Sequence, residues 1–93
     1  MALESTLERR LRDYCNRLGI YTRKFVSPGN RGVPDRVMHY QKKTLYIELK
    51  APGKKPTPLQ LREISLLNAQ GIPAFWTDDL DACKALIQIH LLT

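Results

Sequence analysis

Cysteine, tryptophan and long apolar runs are what this 93-residue chain has least of. The two cysteines, Cys15 and Cys83, lie far apart and form no CxxC unit, which argues against a zinc or disulfide site. Each falls on the apolar side of an expected helix, so both are read as buried, reduced thiols. No stretch approaches the roughly 18 apolar residues that span a bilayer. No expected helix pairs a Lys/Arg face with an aromatic one, as a membrane-surface helix would. The start, Met1-Ala-Leu-Glu-Ser-Thr6, lacks a basic region followed by an apolar stretch. No secretory signal is therefore seen, and the expected compartment is the cytoplasm. Internal repeats, low-complexity segments and linkers are also missing. His39 and His90 do not form a ligand pair, and no Ser/His/Asp or Cys/His arrangement stands out.

Acidic residues are scarce as well. Nine Asp and Glu stand against 15 Lys and Arg, which gives a net charge of +6 and a pI near 9.6. A small basic protein attracts polyanions, because each neutralised phosphate releases counterions. Hydrophobic residues at 43% and charged residues at 26% describe an ordinary globular protein. The length fits one domain spanning residues 1–93. Its core is modest, so a dimer is a natural supplement.

Periodicity then gives the elements. Leu3, Leu7, Leu11, Tyr14 and Leu18 form one stripe of a helix over about 3–18, and Gly19 suits its C-cap. Residues 20–26 read as a strand and residues 27–34 as a loop with two Gly and two Pro. A second strand is expected over 35–40, a turn at 41–43 and a third strand over 44–50. The near-continuous apolar run of that third strand fits a central position covered on both faces. After a second Gly/Pro loop, Thr57 is a candidate N-cap, with Pro58 at the first helical position and Gln60 three residues on. Gly71 ends that helix, residues 72–77 form a short strand, and Asp78 or Asp79 caps a last helix through His90. The expected fold class is α/β: a mixed sheet flanked by helices, in the order α-β-β-β-α-β-α.

The sharpest chemical signal is Gly32-Val-Pro-Asp35, 12 intervening residues, then Glu48-Leu-Lys50. Glu48 and Lys50 are two apart on a strand, so their side chains leave one face. A carboxylate and an ammonium on an otherwise apolar strand are expensive unless paired or bound to an ion. If the second and third strands form a hairpin, their sequence-distant ends, Asp35 and Lys50, lie side by side. Two carboxylates and a lysine then meet at one end of the sheet. That set suits phosphodiester hydrolysis with Mg²⁺, which takes hard oxygen ligands and keeps several waters. A nearby lysine can orient water or offset developing charge. The same geometry also allows a simple cross-strand salt bridge.

Pro34-Asp35 followed by Glu48-Leu49-Lys50 resembles the PD-(D/E)XK nuclease superfamily. More narrowly, Gly32-Val-Pro-Asp-Arg36, Tyr46-Ile-Glu-Leu-Lys-Ala-Pro-Gly53 and Pro56-Thr-Pro-Leu-Gln60 resemble the VRR-NUC family, over nearly the whole chain and in the same element order. The resemblance implies a restriction-endonuclease-like core and Mg²⁺- or Mn²⁺-dependent cleavage of DNA. It implies that Asp35 and Glu48 hold the metal, with the Leu49 carbonyl as a further ligand and Lys50 as the motif lysine. It also implies likeness to Holliday-junction resolvases, hence a homodimer acting on branched DNA. The family places an acidic residue on the first helix. At about 100° per residue Glu4 lies near the centre of the leucine stripe and Glu8 at its edge; Glu4 is preferred as a metal ligand, with Glu8 in reserve. Gln60 matches the family's glutamine after the ExK motif. It also completes a capping box with Thr57, and one side chain is not expected to do both.

Lys24, Arg31, Arg36, Lys42, Lys43, Lys54 and Lys55 fall on loops or strand ends. As a group they form a rim for phosphate contacts, with Lys24, Arg31, Arg36, Lys54 and Lys55 the candidates for DNA binding. The Pro28–Gly32 loop is a weaker candidate for main-chain contact to phosphate. The rival to an endonuclease is a non-catalytic DNA-binding module on the same fold. A third reading is a structural protein in which Glu48 and Lys50 form only an ion pair.

Overall fold

Ser5 opens the first helix: its hydroxyl accepts the Glu8 N–H at 3.0 Å, and α1 runs Thr6–Arg17. The computed structural model describes residues 5–93. The helix starts later than the leucine stripe suggests, because Ser5-Thr-Leu-Glu8 carries its own start signal. Leu11 and Cys15 are its buried residues. Leu18, expected in the stripe, is the C-cap and is exposed. Gly19 follows with φ +74°, the left-handed conformation that turns the chain into the sheet.

Four strands form one sheet in the order β1 (Tyr21–Lys24), β2 (Arg36–Tyr40), β3 (Lys43–Leu49) and β4 (Ala74–Thr77). β1–β2 and β2–β3 are antiparallel, and β3–β4 is parallel. The parallel pair requires a crossover, which α2 (Pro58–Ala69) supplies. α3 (Leu80–His90) follows β4 and completes the order α-β-β-β-α-β-α. The expected mixed sheet with flanking helices is the one found.

Gln41 and Lys42 form a two-residue turn between β2 and β3, with φ of 47° and 70°. Positive φ at both positions is what a tight hairpin needs to match the sheet twist. The register then runs from Tyr40↔Lys43 to Arg36↔Ile47. β3 begins at Lys43 because the turn takes two residues and not the three expected.

The two faces of β3 follow from its alternation. Leu45, Ile47 and Leu49 join the main core with Leu11 and Cys15 of α1, Met38 of β2, and Cys83, Ile87 and Leu91 of the α3 region. Tyr46 packs edge-on against Phe25 at 5.3 Å on the other face, under α2. β3 is thus central and covered on both sides, as its apolar run suggests. Both cysteines are free and buried. Burial pushes the Cys15 thiol up to about 11 and the Cys83 thiol up to about 12.

Both later helices start where their sequence signals lie. Thr57 caps α2 in a reciprocal capping box with Gln60. Asp79 caps α3 by accepting the Ala82 N–H at 2.9 Å. Asn68 then ties α2 to β4, donating to the Ala74 carbonyl at 3.1 Å and accepting the Ala74 N–H at 3.0 Å.

Candidate active site

The hairpin register, continued one residue past Arg36↔Ile47, sets Asp35 across from Glu48. Asp35 therefore faces Glu48, and not Lys50 as the strand-end argument expects, because the two-residue turn fixes the pairing. Asp35 Oδ1 accepts the Leu49 N–H at 3.2 Å, which orients its carboxylate across the end of the hairpin. Lys50, just past β3, donates its own N–H to the Thr77 carbonyl at 2.9 Å. Its ammonium lies 3.7 Å from Glu48 Oε2. Glu48 and Lys50 thus share one face, as their spacing requires.

These carboxylates are held in a costly state. Burial pushes Asp35 above the usual carboxylate range; the Leu49 N–H draws it back, Glu8 raises it and Arg36 lowers it. Glu48 is only 5% exposed. Burial first, and then the Asp35 charge, push it up to about 7, against the lowering effect of Lys50. Trp76 is its neighbour on β4 and walls one side. Two such carboxylates with one lysine beside them make an electron-rich, under-compensated site.

Gln60 reaches the same cluster from α2. Its Oε1 accepts the Thr57 N–H at 2.8 Å, and its Nε2 donates to Glu48 Oε2 at 3.4 Å. The side chain can cap the helix and contact Glu48 at once, because the two ends of an amide offer opposite chemistry. Gly32 sets how near α2 can come. It has φ +85°, and a Cβ placed there would stand 2.9 Å from the Leu59 carbonyl carbon and oxygen. Its freedom therefore serves close packing against the first turn of α2.

Glu4 lies outside the described residues. Glu8, the reserve candidate, comes to the site's flank, where it meets Lys24 Nζ at 3.4 Å and Arg36 Nη1 at 3.8 Å. These cations draw its carboxylate away from the reciprocal half of a capping box with Ser5. Arg36 departs from the expected phosphate rim: it is 3% exposed, with Nη2 donating to Thr22 Oγ1 at 3.0 Å. Its place in the register turns it to the Ile47 face, the buried side of the sheet. Lys24, Arg31, Lys54 and Lys55 are exposed, as a rim requires.

A cavity of about 610 Å³ opens beside the cluster, between the start of α1 and the start of α3, with Glu8, Arg10, Lys50, Asp78 and Leu80 among its lining residues. Arg10 escapes the sequence reading. Its signal is the helical period, since it sits three residues after Leu7, which lines the same cavity. The Gly53 N–H donates to Asp78 Oδ2 at 3.0 Å and fixes the loop that carries Lys54 and Lys55. Among the described residues, no three His, Cys, Asp or Glu side chains form a ready metal cage.

This fold and this pairing of carboxylates with a lysine define a small α/β nuclease domain. No family model matches the chain. It is 43% identical over 88 residues to "Putative nuclease p44" of Acyrthosiphon pisum secondary endosymbiont phage 1, covering 94% of this chain and 95% of that protein. A solved structure described as "VRR_NUC domain" superposes with a TM-score of 0.74 at 28% identity, covering 90% of this chain and 97% of the other. A second, "VRR_NUC domain protein", shares the fold with a TM-score of 0.63 at 20% identity, covering 97% and 92%. The chain belongs to the VRR-NUC family of nucleases.

Proposed function

We propose that this chain is a metal-dependent endonuclease that hydrolyses phosphodiester bonds in branched DNA, such as four-way junctions, as a homodimer. The observation that supports it most is the facing pair Asp35, half-buried, and Glu48, buried, with Lys50 at 3.7 Å from Glu48. A structural salt bridge needs one carboxylate; the second only raises the cost. A divalent cation relieves that cost.

The donor set fits Mg²⁺, with Mn²⁺ as a substitute. Magnesium binds through one or two carboxylates and keeps several waters, so a full protein cage is not required. Asp35, Glu48 and the Leu49 carbonyl would hold it, with Glu4 as the preferred carboxylate of the first helix and Glu8 in reserve. When bound, the ion polarises the scissile phosphate and supplies a nucleophile at neutral pH. The Leu49 N–H holds Asp35 in orientation, and Gln60 does the same for Glu48. Lys50 offsets charge that develops on the phosphate. Lys24, Arg31, Lys54 and Lys55 hold the DNA backbone without reading sequence. Branched substrates and the dimer rest on family likeness and on the small core. The same reading puts the enzyme in the cytoplasm of a bacterial or phage-infected cell, where its buried thiols stay reduced. Among the described residues, no helix is long and apolar enough to cross a membrane.

The test is purified protein with Mg²⁺ or Mn²⁺ on four-way junctions, flaps and plain duplexes. Wild type should cut branched substrates, while Asp35→Asn and Lys50→Ala should bind but not cut. Wild type that binds DNA and cuts none of them points to a non-catalytic binding module. Full activity in Glu48→Gln overturns the assignment of Glu48.

A further inference from the structure

We propose that the outer stripe of α2 is a two-fold interface, at which two copies of this chain pair their α2 helices antiparallel. The inference rests on the homodimer reading above and names the surface that the reading lacks.

α2 carries five large apolar residues, Leu59, Leu61, Ile64, Leu66 and Leu67, and only Ile64 is buried. Leu59 is 42% exposed and Leu66 49%. Leu59, Arg62, Glu63 and Leu66 follow the spacing i, i+3, i+4, i+7, so they share one stripe. All four line one open groove together with the loop at Gly29, Asn30 and Arg31. Two leucines flanking an arginine and a glutamate is an unusual face to leave to water.

It does suit itself. A two-fold axis crossing the helix midway between Arg62 and Glu63 exchanges position 59 with 66 and position 62 with 63. Leu59 of one copy then lies on Leu66 of the other at both ends of the contact. Between them, Arg62 of each copy meets Glu63 of the other, giving two opposite-charge pairs. The charge pattern also selects this register. An axis through Arg62 sets arginine on arginine, an axis through Glu63 sets glutamate on glutamate, and parallel packing stacks like on like. An isologous contact requires such self-complementarity, and misplaced like charges exclude the alternatives. A domain of this size also gains most from a second copy, since its own core is small. The neighbours Leu59 and Leu61 flank Gln60, so the interface would lie on the helix that carries the hydrogen-bond partner of Glu48.

The experiment uses the full chain and reads solution mass by sedimentation equilibrium. Arg62→Glu and Glu63→Arg should each raise the dimer Kd by about 100-fold, since each sets like charges face to face twice. The double exchange, Arg62→Glu with Glu63→Arg, should restore the dimer. Leu59→Cys chains mixed with Leu66→Cys chains should form a disulfide-linked pair under mild oxidation, while neither should link to itself. Circular dichroism of each variant checks that the monomer remains folded. Wild type that stays monomeric at high concentration overturns this surface together with the homodimer reading. A dimer indifferent to charge reversal, with no 59–66 cross-link, overturns the surface alone.

Discussion

Gln60 joins the start of α2 to Glu48 through a single amide: its oxygen closes the capping box on Thr57 at 2.8 Å, and its nitrogen reaches the buried carboxylate at 3.4 Å. The cap fixes which end of the amide faces the site. Gln60→Ala should therefore show two separable defects. Loss of the cap contact should lower stability by about 1 kcal/mol in urea unfolding. Loss of the Glu48 partner should lower junction cleavage about 10–100-fold. Gln60→Glu retains the capping oxygen and sets another carboxylate beside Glu48. It should keep most of the stability at pH 5 and lose cleavage as severely as the alanine variant.

Gly32 and Gly29 provide a matched pair for backbone strain. Both have positive φ, but only at Gly32 would a Cβ meet anything: Leu59 main-chain atoms at 2.9 Å. Gly29→Ala should cost about 1 kcal/mol from conformation alone. Gly32→Ala should cost about 2–3 kcal/mol or more, since a helix backbone must move as well. Equal costs in chemical denaturation would show that the contact with α2 is not what constrains Gly32.

The raised affinity of Glu48 for a proton predicts how the metal-free protein responds to pH. Its folded value is about 7 against an ordinary 4.5, chiefly through burial and then the Asp35 charge. The folded state holds the proton more tightly than the unfolded chain. The stabilising contribution is thus complete below about 4.5 and is lost as pH rises through about 7. Urea midpoints in chelator should fall between pH 5 and pH 8. Glu48→Gln should flatten that slope, and Mg²⁺ should raise the wild-type midpoint at pH 8.

Arg36 and the loop lysines should separate in a salt titration. Arg36→Ala leaves Glu8 and Thr22 without their buried partner and should cost about 3 kcal/mol of stability. Arg36→Met should cost less, because the aliphatic stem still fills the space. Lys54→Ala and Lys55→Ala should leave stability alone and each reduce the salt dependence of DNA affinity by about one unit of slope.

The two thiols should be silent. Cys15 and Cys83 are buried, with their pKa values pushed to about 11 and about 12. A chromogenic disulfide reagent at pH 8 should label neither in the native protein and both in denaturant. Fast labelling of native protein would mean that the core opens locally around α1 or α3.

The elements legible in the sequence were those with an end signal. Thr57-Pro-Leu-Gln60 marks the start of α2 and the Asp78-Asp79 pair that of α3, where the structure selects Asp79 as the cap. The start of α1 is less legible, because leucine spacing fixes a face and leaves the start open, while Ser5 and Glu8 carry the start. The pairing of Glu48 with Lys50 followed from the period of a strand. The partner of Asp35 did not, since it depends on a turn of two residues or three. In the sequence Arg36 reads as a surface charge, because a basic residue at a strand start is commonly exposed. Only the register reveals that it points inward. The helical period groups Arg10 with Leu7, but that the cavity lies over this face follows only from the contact of α1 with α3.

The turn at Gln41 and Lys42 also limits how the chain length can drift over generations. The hairpin folds back on that pair, so Asp35 and Glu48 sit at equal distances on either side of it. Adding one residue to each strand lengthens the arm and keeps the carboxylates opposed. Adding one residue to a single strand slides them past each other and, by the alternation of a strand, turns one toward the apolar core. Length changes in this arm are therefore tolerated in twos. An odd insertion needs a bulge or a longer turn to absorb it. The tip, at the far end from the chemistry, thus sets the parity on which the opposed carboxylates depend.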